Sequence, residues 1–117
     1  MNTVYAADIA AWRDWLEQNG TSEQLVWLVI HHKDSSTPSV RYREAIEHAL
    51  CFGWIDSKAV TNDEDSCLLR FTPRRPQSTW AATNRARAQR LIDAGLMRPA
   101  GQAMIDLAKR TGRWDAH

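Results

Sequence analysis

The run Gln24–His32, QLVWLVIHH, limits the possible folds most severely. It is dense in β-branched and aromatic side chains and too short for a self-contained helix, so it reads as a largely buried strand. A buried strand needs other strands beside it and helices over it, and its neighbours supply both. Asp8 to Asn19 reads as a first helix: Asp8 is the N-cap, Ile9, Trp12, Trp15 and Leu16 fall at helical spacing, and Gly20 stops it. Residues 33–39 form a polar loop containing Pro38, and Val40 to Phe52 reads as a second helix with Tyr42, Ala45, Ile46, Ala49 and Leu50 on one apolar stripe.

After Gly53 the period changes. Trp54 to Thr61 reads as a strand, residues 62–66 (NDEDS) as a turn, and Cys67 to Thr72 as the hairpin partner. Pro73 and Pro76 forbid its continuation as a central strand. Ser78 to Asp93 reads as a third helix with Ser78 as N-cap, and Arg98 to Arg110 as a fourth, with Pro99 in its first turn, Ala103, Met104 and Leu107 inward and Gly112 at C′. The order α-β-α-β-β-α-α predicts an α+β domain over residues 1–117: a three-stranded, largely antiparallel sheet packed by four helices. The hairpin should place Trp54 in the core. Trp54, Asp56 and Lys58 should share one strand face, with Asp56 in a charge-assisted contact with an arginine or a backbone amide.

Composition removes several classes. With 117 residues, 44% of them apolar, the chain can bury one core without disulfide staples, and two cysteines are too few for a disulfide scaffold. No apolar run approaches the ~18–20 residues that span a bilayer, and the first residues lack the basic and apolar regions of a secretory signal. The expectation is a cytoplasmic protein with reduced thiols. Charge is uneven: residues 1–67 carry 5 Lys/Arg and 11 Asp/Glu, whereas residues 68–117 carry 10 and 3. Between Leu68 and Ile92 lie Arg70, Arg74, Arg75, Arg85, Arg87 and Arg90 with no acid and no lysine. Arginine's planar fork suits carboxylate and phosphate, although the same residues could simply pair with the acidic half.

Five blocks carry a family resemblance: Ala49–Asp56 (ALCFGWID), Arg70–Arg75 (RFTPRR), Ser78-Thr79-Trp80 with Asn84, Leu91–Met97, and Ala100-Gly101. In their order and spacing they resemble the bacterial YdeI/OmpD-associated, or bacteriocin-protection, family, over about Trp12 to Trp114. The resemblance implies a non-enzymatic stress or antimicrobial-peptide resistance protein that binds a protein or an anionic partner. It brings no agreed catalytic residues and no cofactor. The chain departs from the family pattern after Trp114, where a Lys/Arg-rich helical segment would follow.

Chemistry-bearing residues narrow the site. Histidines stand at 31, 32, 48 and 117, without the spacing of a metal site. Cys51 falls at a helix C-terminus, where the dipole disfavours a thiolate, and Cys67 opens a strand. Neither a nucleophile elbow nor a glycine-rich phosphate loop occurs, so no catalytic residue, metal or cofactor is assigned. Two polar features remain: the strand carrying Trp54 and Asp56 beside the one carrying Arg70, and the proline-bounded Arg74–Arg75 loop leading to Ser78, Trp80 and Asn84. Together they form a candidate anion-binding group in which Trp80 offers a stacking face and Arg74 and Arg75 reach solvent, unless one of them folds inward. The alternative to a partner-binding protein is therefore a domain for a small ligand, a nucleotide or a nucleic acid, the last without a recognisable motif. A cleft joining Asp56 to the arginine loop would favour this alternative, and a flat basic face the partner-binding reading.

Overall fold

The computed structural model describes residues 2–115. Its elements run β1 (Thr3–Tyr5), α1 (Ile9–Asn19), β2 (Val26–His31), α2 (Tyr42–Cys51), β3 (Trp54–Thr61), β4 (Ser66–Pro73), α3 (Ala82–Asp93) and α4 (Pro99–Arg110). The fold is α+β. The sheet has four strands in the order β1-β2-β4-β3, rather than three. Strand β1 is the one the sequence pattern missed: three residues are too few to show alternation. It pairs parallel to β2, Thr3 against Trp27, and α1 is the crossover that a parallel pair requires. Strands β2, β4 and β3 are antiparallel neighbours, so the sheet is mixed only at the β1 edge.

Helix α1 begins as its sequence dictates: the Asp8 carboxylate accepts from the Ala11 N–H at 2.9 Å. Trp12 and Leu16 are buried. Val26, Leu28 and Ile30 alternate along β2 into the core and meet Phe71, Leu69 and Cys67 of β4. The other sheet face carries Trp27, Val29, His31, Leu68 and Arg70, and Leu68, although buried, lies outside the main core cluster.

Two helices differ from the sequence reading. Helix α3 starts at Ala82, not Ser78, and Ser78 is not its cap: Ala81 occupies the N-cap with extended backbone and no side-chain bond. Tertiary packing delays the start. Trp80 is 2% exposed and its backbone N–H donates to Arg113 O at 3.2 Å, which holds the preceding turn out of helical geometry. In α4 the inward residues are Gly101, Ile105 and Ala108, whereas Ala103 is exposed and Met104 and Leu107 are half-buried. Gly101 sets this rotation. A Cβ there would lie 2.3 Å from Cys51 O, so the α4 backbone comes directly against the end of α2.

Candidate functional site

A bulge and a proline-bounded loop shape the site. In the β3–β4 ladder Asp56 faces Phe71 and Lys58 faces Arg70, leaving Ser57 as the extra residue. The shared face expected for Trp54, Asp56 and Lys58 is therefore broken after Asp56. The bulge ties Ser57 to the neighbouring strand: Arg70 Nε donates to Ser57 Oγ at 2.8 Å, and the Arg70 guanidinium lies 5.9 Å from the centre of the Trp27 ring. Pro73, the last residue of β4, and Pro76 beyond it bracket Arg74 and Arg75 and restrict the backbone. The Arg74 N–H donates to Gly53 O at 2.8 Å and the Ser78 N–H to Arg75 O at 3.0 Å. Gly53, with φ of 81°, makes the tight exit from α2 that brings this carbonyl into position.

Between β3, β4 and this loop opens a cleft of about 600 Å³, lined by Asp56, Arg70, Arg74, Arg75 and Ser78 among others. Five of the eight residues singled out from sequence thus meet in one concavity. Trp54, Trp80 and Asn84 do not line it. Trp54 is 1% exposed and its indole N–H donates to Gly20 O at 3.3 Å, so it belongs to the core as expected. Asn84 lies on α3, where its Oδ1 accepts from Arg87 Nη1 at 3.2 Å. Trp80 offers its face to Arg74 rather than to a ligand.

Arg74 and Arg75 part company. Arg75 is exposed; Arg74 is 5% exposed, its guanidinium carbon 3.8 Å from the centre of the Trp80 ring. Arg74 has thus folded inward, onto an indole rather than onto the acidic half of the chain. Its Nη2 donates to Thr79 O at 3.0 Å, while Nε and Nη1 are buried with no hydrogen-bond partner among the described residues. Burial pulls the guanidinium pKa below its ordinary value and the Asp56 carboxylate opposes that shift; a group that basic still stays charged at neutral pH. The expected close contact of Asp56 is not made. The half-buried carboxylate acts on Arg74 through space, with no hydrogen bond or ion pair among the described residues. Behind Trp80 the stack continues: the Trp114 ring is 5.0 Å away and Lys109 Nζ lies 5.0 Å over Trp114.

Gln24, Ile55, Ser57 and Thr72 also line the cleft, and sequence reasoning did not reach them. Ser57 depends on a bulge and Gln24 on the pairing of β2 with β4, and neither leaves a local signal. The remaining titratable groups lie elsewhere. His48 Nδ1 is 2.8 Å from Arg13 Nη1; burial, then the Arg13 charge, lowers its pKa. Burial pushes the Cys51 thiol up. Ser35 Oγ and then His31 Nδ1, at 2.6 and 2.9 Å from Asp65 Oδ2, hold that carboxyl below its usual value. No cluster of three His, Cys, Asp or Glu suited to a metal ion occurs among the described residues, and His117 lies outside them.

Residues 4–104 match the model of a family described as a domain of unknown function, DUF8412. The chain belongs to that family. No curated protein and no solved structure matches it. The DUF8412 match takes in most of the chain, including every residue that lines the cleft. No described helix is long and apolar enough to cross a membrane.

Proposed function

We propose that this DUF8412 chain is a binding domain for a small anionic ligand, held in the cleft with Arg74 as the central receptor and Arg70 and Arg75 flanking it. One observation carries the reading. Arg74, a lining residue of the cleft, is nine-tenths buried, and two of its guanidinium nitrogens have no hydrogen-bond partner among the described residues. Leaving a buried donor unsatisfied costs about 1–3 kcal/mol, so such groups ask for a reason. An anion in the cleft supplies one: a small turn of the Arg74 side chain brings these buried nitrogens to it, and the anion then gives the guanidinium the charge-assisted bonds it lacks. The Trp80 ring and the proline-bounded loop hold the receptor in place beforehand, which lowers the entropic cost of binding. The reading requires binding only and assigns no reaction to the cleft.

The resemblance to the bacteriocin-protection family, with its cytoplasmic setting and antimicrobial-peptide resistance, is proposed as the physiological context; the FGWID and RFTPRR blocks support it. The cleft favours a small ligand over a flat protein-binding face. The test is a titration of inorganic phosphate, sulfate and acetate, followed by calorimetry and by the intrinsic tryptophan fluorescence, to which Trp80 beneath Arg74 contributes. Wild-type protein should bind at least one of these anions, more weakly as salt is added, and Arg74→Met should lose most of the affinity. Equal or absent binding in the two proteins defeats the reading.

A further inference from the structure

The cleft is polarised. Asp56 shares its wall with three arginines and feels the Arg74 charge, yet contacts none of them. Asp56 sits at the bulge, its strand tied to β4 through Ser57 and Arg70, and Arg74 is clamped between Trp80 and the Thr79 carbonyl. The fold therefore holds apart an unpaired carboxylate, which only accepts hydrogen bonds, and an unpaired guanidinium, which only donates them. A ligand that satisfies both must carry an anionic group at one end and a hydrogen-bond donor at the other.

Charge and size narrow the class. Three guanidinium groups and one carboxylate line the cleft, a net charge of +2, which a dianion neutralises and a monocarboxylate does not. The volume, about 600 Å³, lies in the range of cavities that take whole small molecules rather than a bare ion. Resting on the anion-binding reading, we propose that the cleft takes a phosphomonoester bearing a hydroxyl or amine near its phosphate, with the phosphate on Arg74, Arg70 and Arg75 and the donor group on Asp56. Asp56 is the specificity determinant. It repels a bare anion and rewards one that brings a donor.

The test compares inorganic phosphate, methyl phosphate, glycerol 3-phosphate and serine as probes, by calorimetric titration into wild type and Asp56→Asn. Glycerol 3-phosphate should bind wild type at least ~10-fold more tightly than methyl phosphate, the effect of about one hydrogen bond to a charged group. In Asp56→Asn that preference should fall below about threefold, while inorganic phosphate binds as well as or better than to wild type, because the repelling charge is gone. Affinity for glycerol 3-phosphate should also drop as pH falls through about 6, where a phosphomonoester takes up its second proton, and sulfate binding should not. The Asp56 side chain makes no hydrogen bond among the described residues, and a denaturation curve checks that Asp56→Asn is folded. Equal affinity of wild type for the two phosphate esters, an unchanged preference in Asp56→Asn, or tighter binding of zwitterionic serine than of glycerol 3-phosphate overturns the assignment. If inorganic phosphate still binds through Arg74 in those cases, only the ligand class is wrong. If no anion binds wild type at all, the anion-binding reading itself fails.

Discussion

Replacing Arg74 by methionine separates a receptor from a structural cation. The side chain makes two favourable contacts inside the fold: the bond to Thr79 O at 3.0 Å and the stacking on Trp80 at 3.8 Å. A hydrogen bond from a charged donor contributes about 1.5–3 kcal/mol, and a desolvated cation–π contact about 0.5–2 kcal/mol. Against them stand two buried nitrogens without partners, each costing about 1–3 kcal/mol. The two sides nearly cancel. Methionine keeps an unbranched apolar side chain over the indole and adds a sulfur–aromatic contact. Arg74→Met should therefore leave the stability of the unliganded protein within about 1 kcal/mol of wild type, since the midpoints of the two sums differ by about 0.5 kcal/mol. Urea unfolding followed by far-UV circular dichroism, with m-values compared, measures the difference. The same experiment at saturating phosphate should separate the proteins: at 100 times its dissociation constant a ligand stabilises wild type by about 2.7 kcal/mol and the variant by far less. A loss of about 3–5 kcal/mol without ligand, the cost of breaking a buried ion pair, would refute the reasoning. It would mean that Asp56 closes on Arg74 in solution and that the charge belongs to the scaffold.

Other parts of the fold give sharper stability changes. Gly101→Ala places a methyl against Cys51 O and should cost about 1–3 kcal/mol or more by forcing α4 away from α2, read from the urea midpoint. Asp8→Ala removes the N-cap bond of α1 and should cost about 1 kcal/mol in the same assay. The His48 pKa is lowered from 6.5 by burial and by Arg13, so the folded state binds fewer protons there than the unfolded one. That contribution is intact above about pH 6.5 and is lost as pH falls below it; His48→Gln should flatten the stability profile just below pH 6.5, and an unchanged slope would count against this half-buried imidazole being held neutral by its surroundings.

Much of this molecule was legible in the sequence, for reasons that are local. The N-cap Asp8, the buried strand around Val26–His31, the β3–β4 hairpin with Trp54 inward and the break after Gly53 each rest on residues close together in the chain. The juxtaposition of Asp56 with the arginine loop was also within reach, because the hairpin sets the strand of Asp56 beside the strand of Arg70 and the loop follows at once. What failed were features that depend on distant partners. Strand β1 exists because β2 offers it an edge; α3 starts late because Trp80 is drawn under Arg74 and against Arg113; and α4 is rotated because Gly101 alone permits contact with Cys51.

The arginines show the boundary between the two most clearly. Residue types and spacing by themselves determine that Arg74 and Arg75 stand on a stiff loop after a strand, in a basic stretch without a single acid. Nothing in that spacing says which of them turns inward. Only the tertiary structure decides it, because burial of a guanidinium depends on whether an indole ring, brought from beyond the second proline and backed by Trp114 from the end of α4, happens to lie beneath it. Desolvation and stacking are properties of the assembled surroundings, not of the local chain. For the same reason Asp56 stays apart from Arg74: each is restrained by elements that meet only in the folded protein, and the unpaired charges that mark the cleft exist only there.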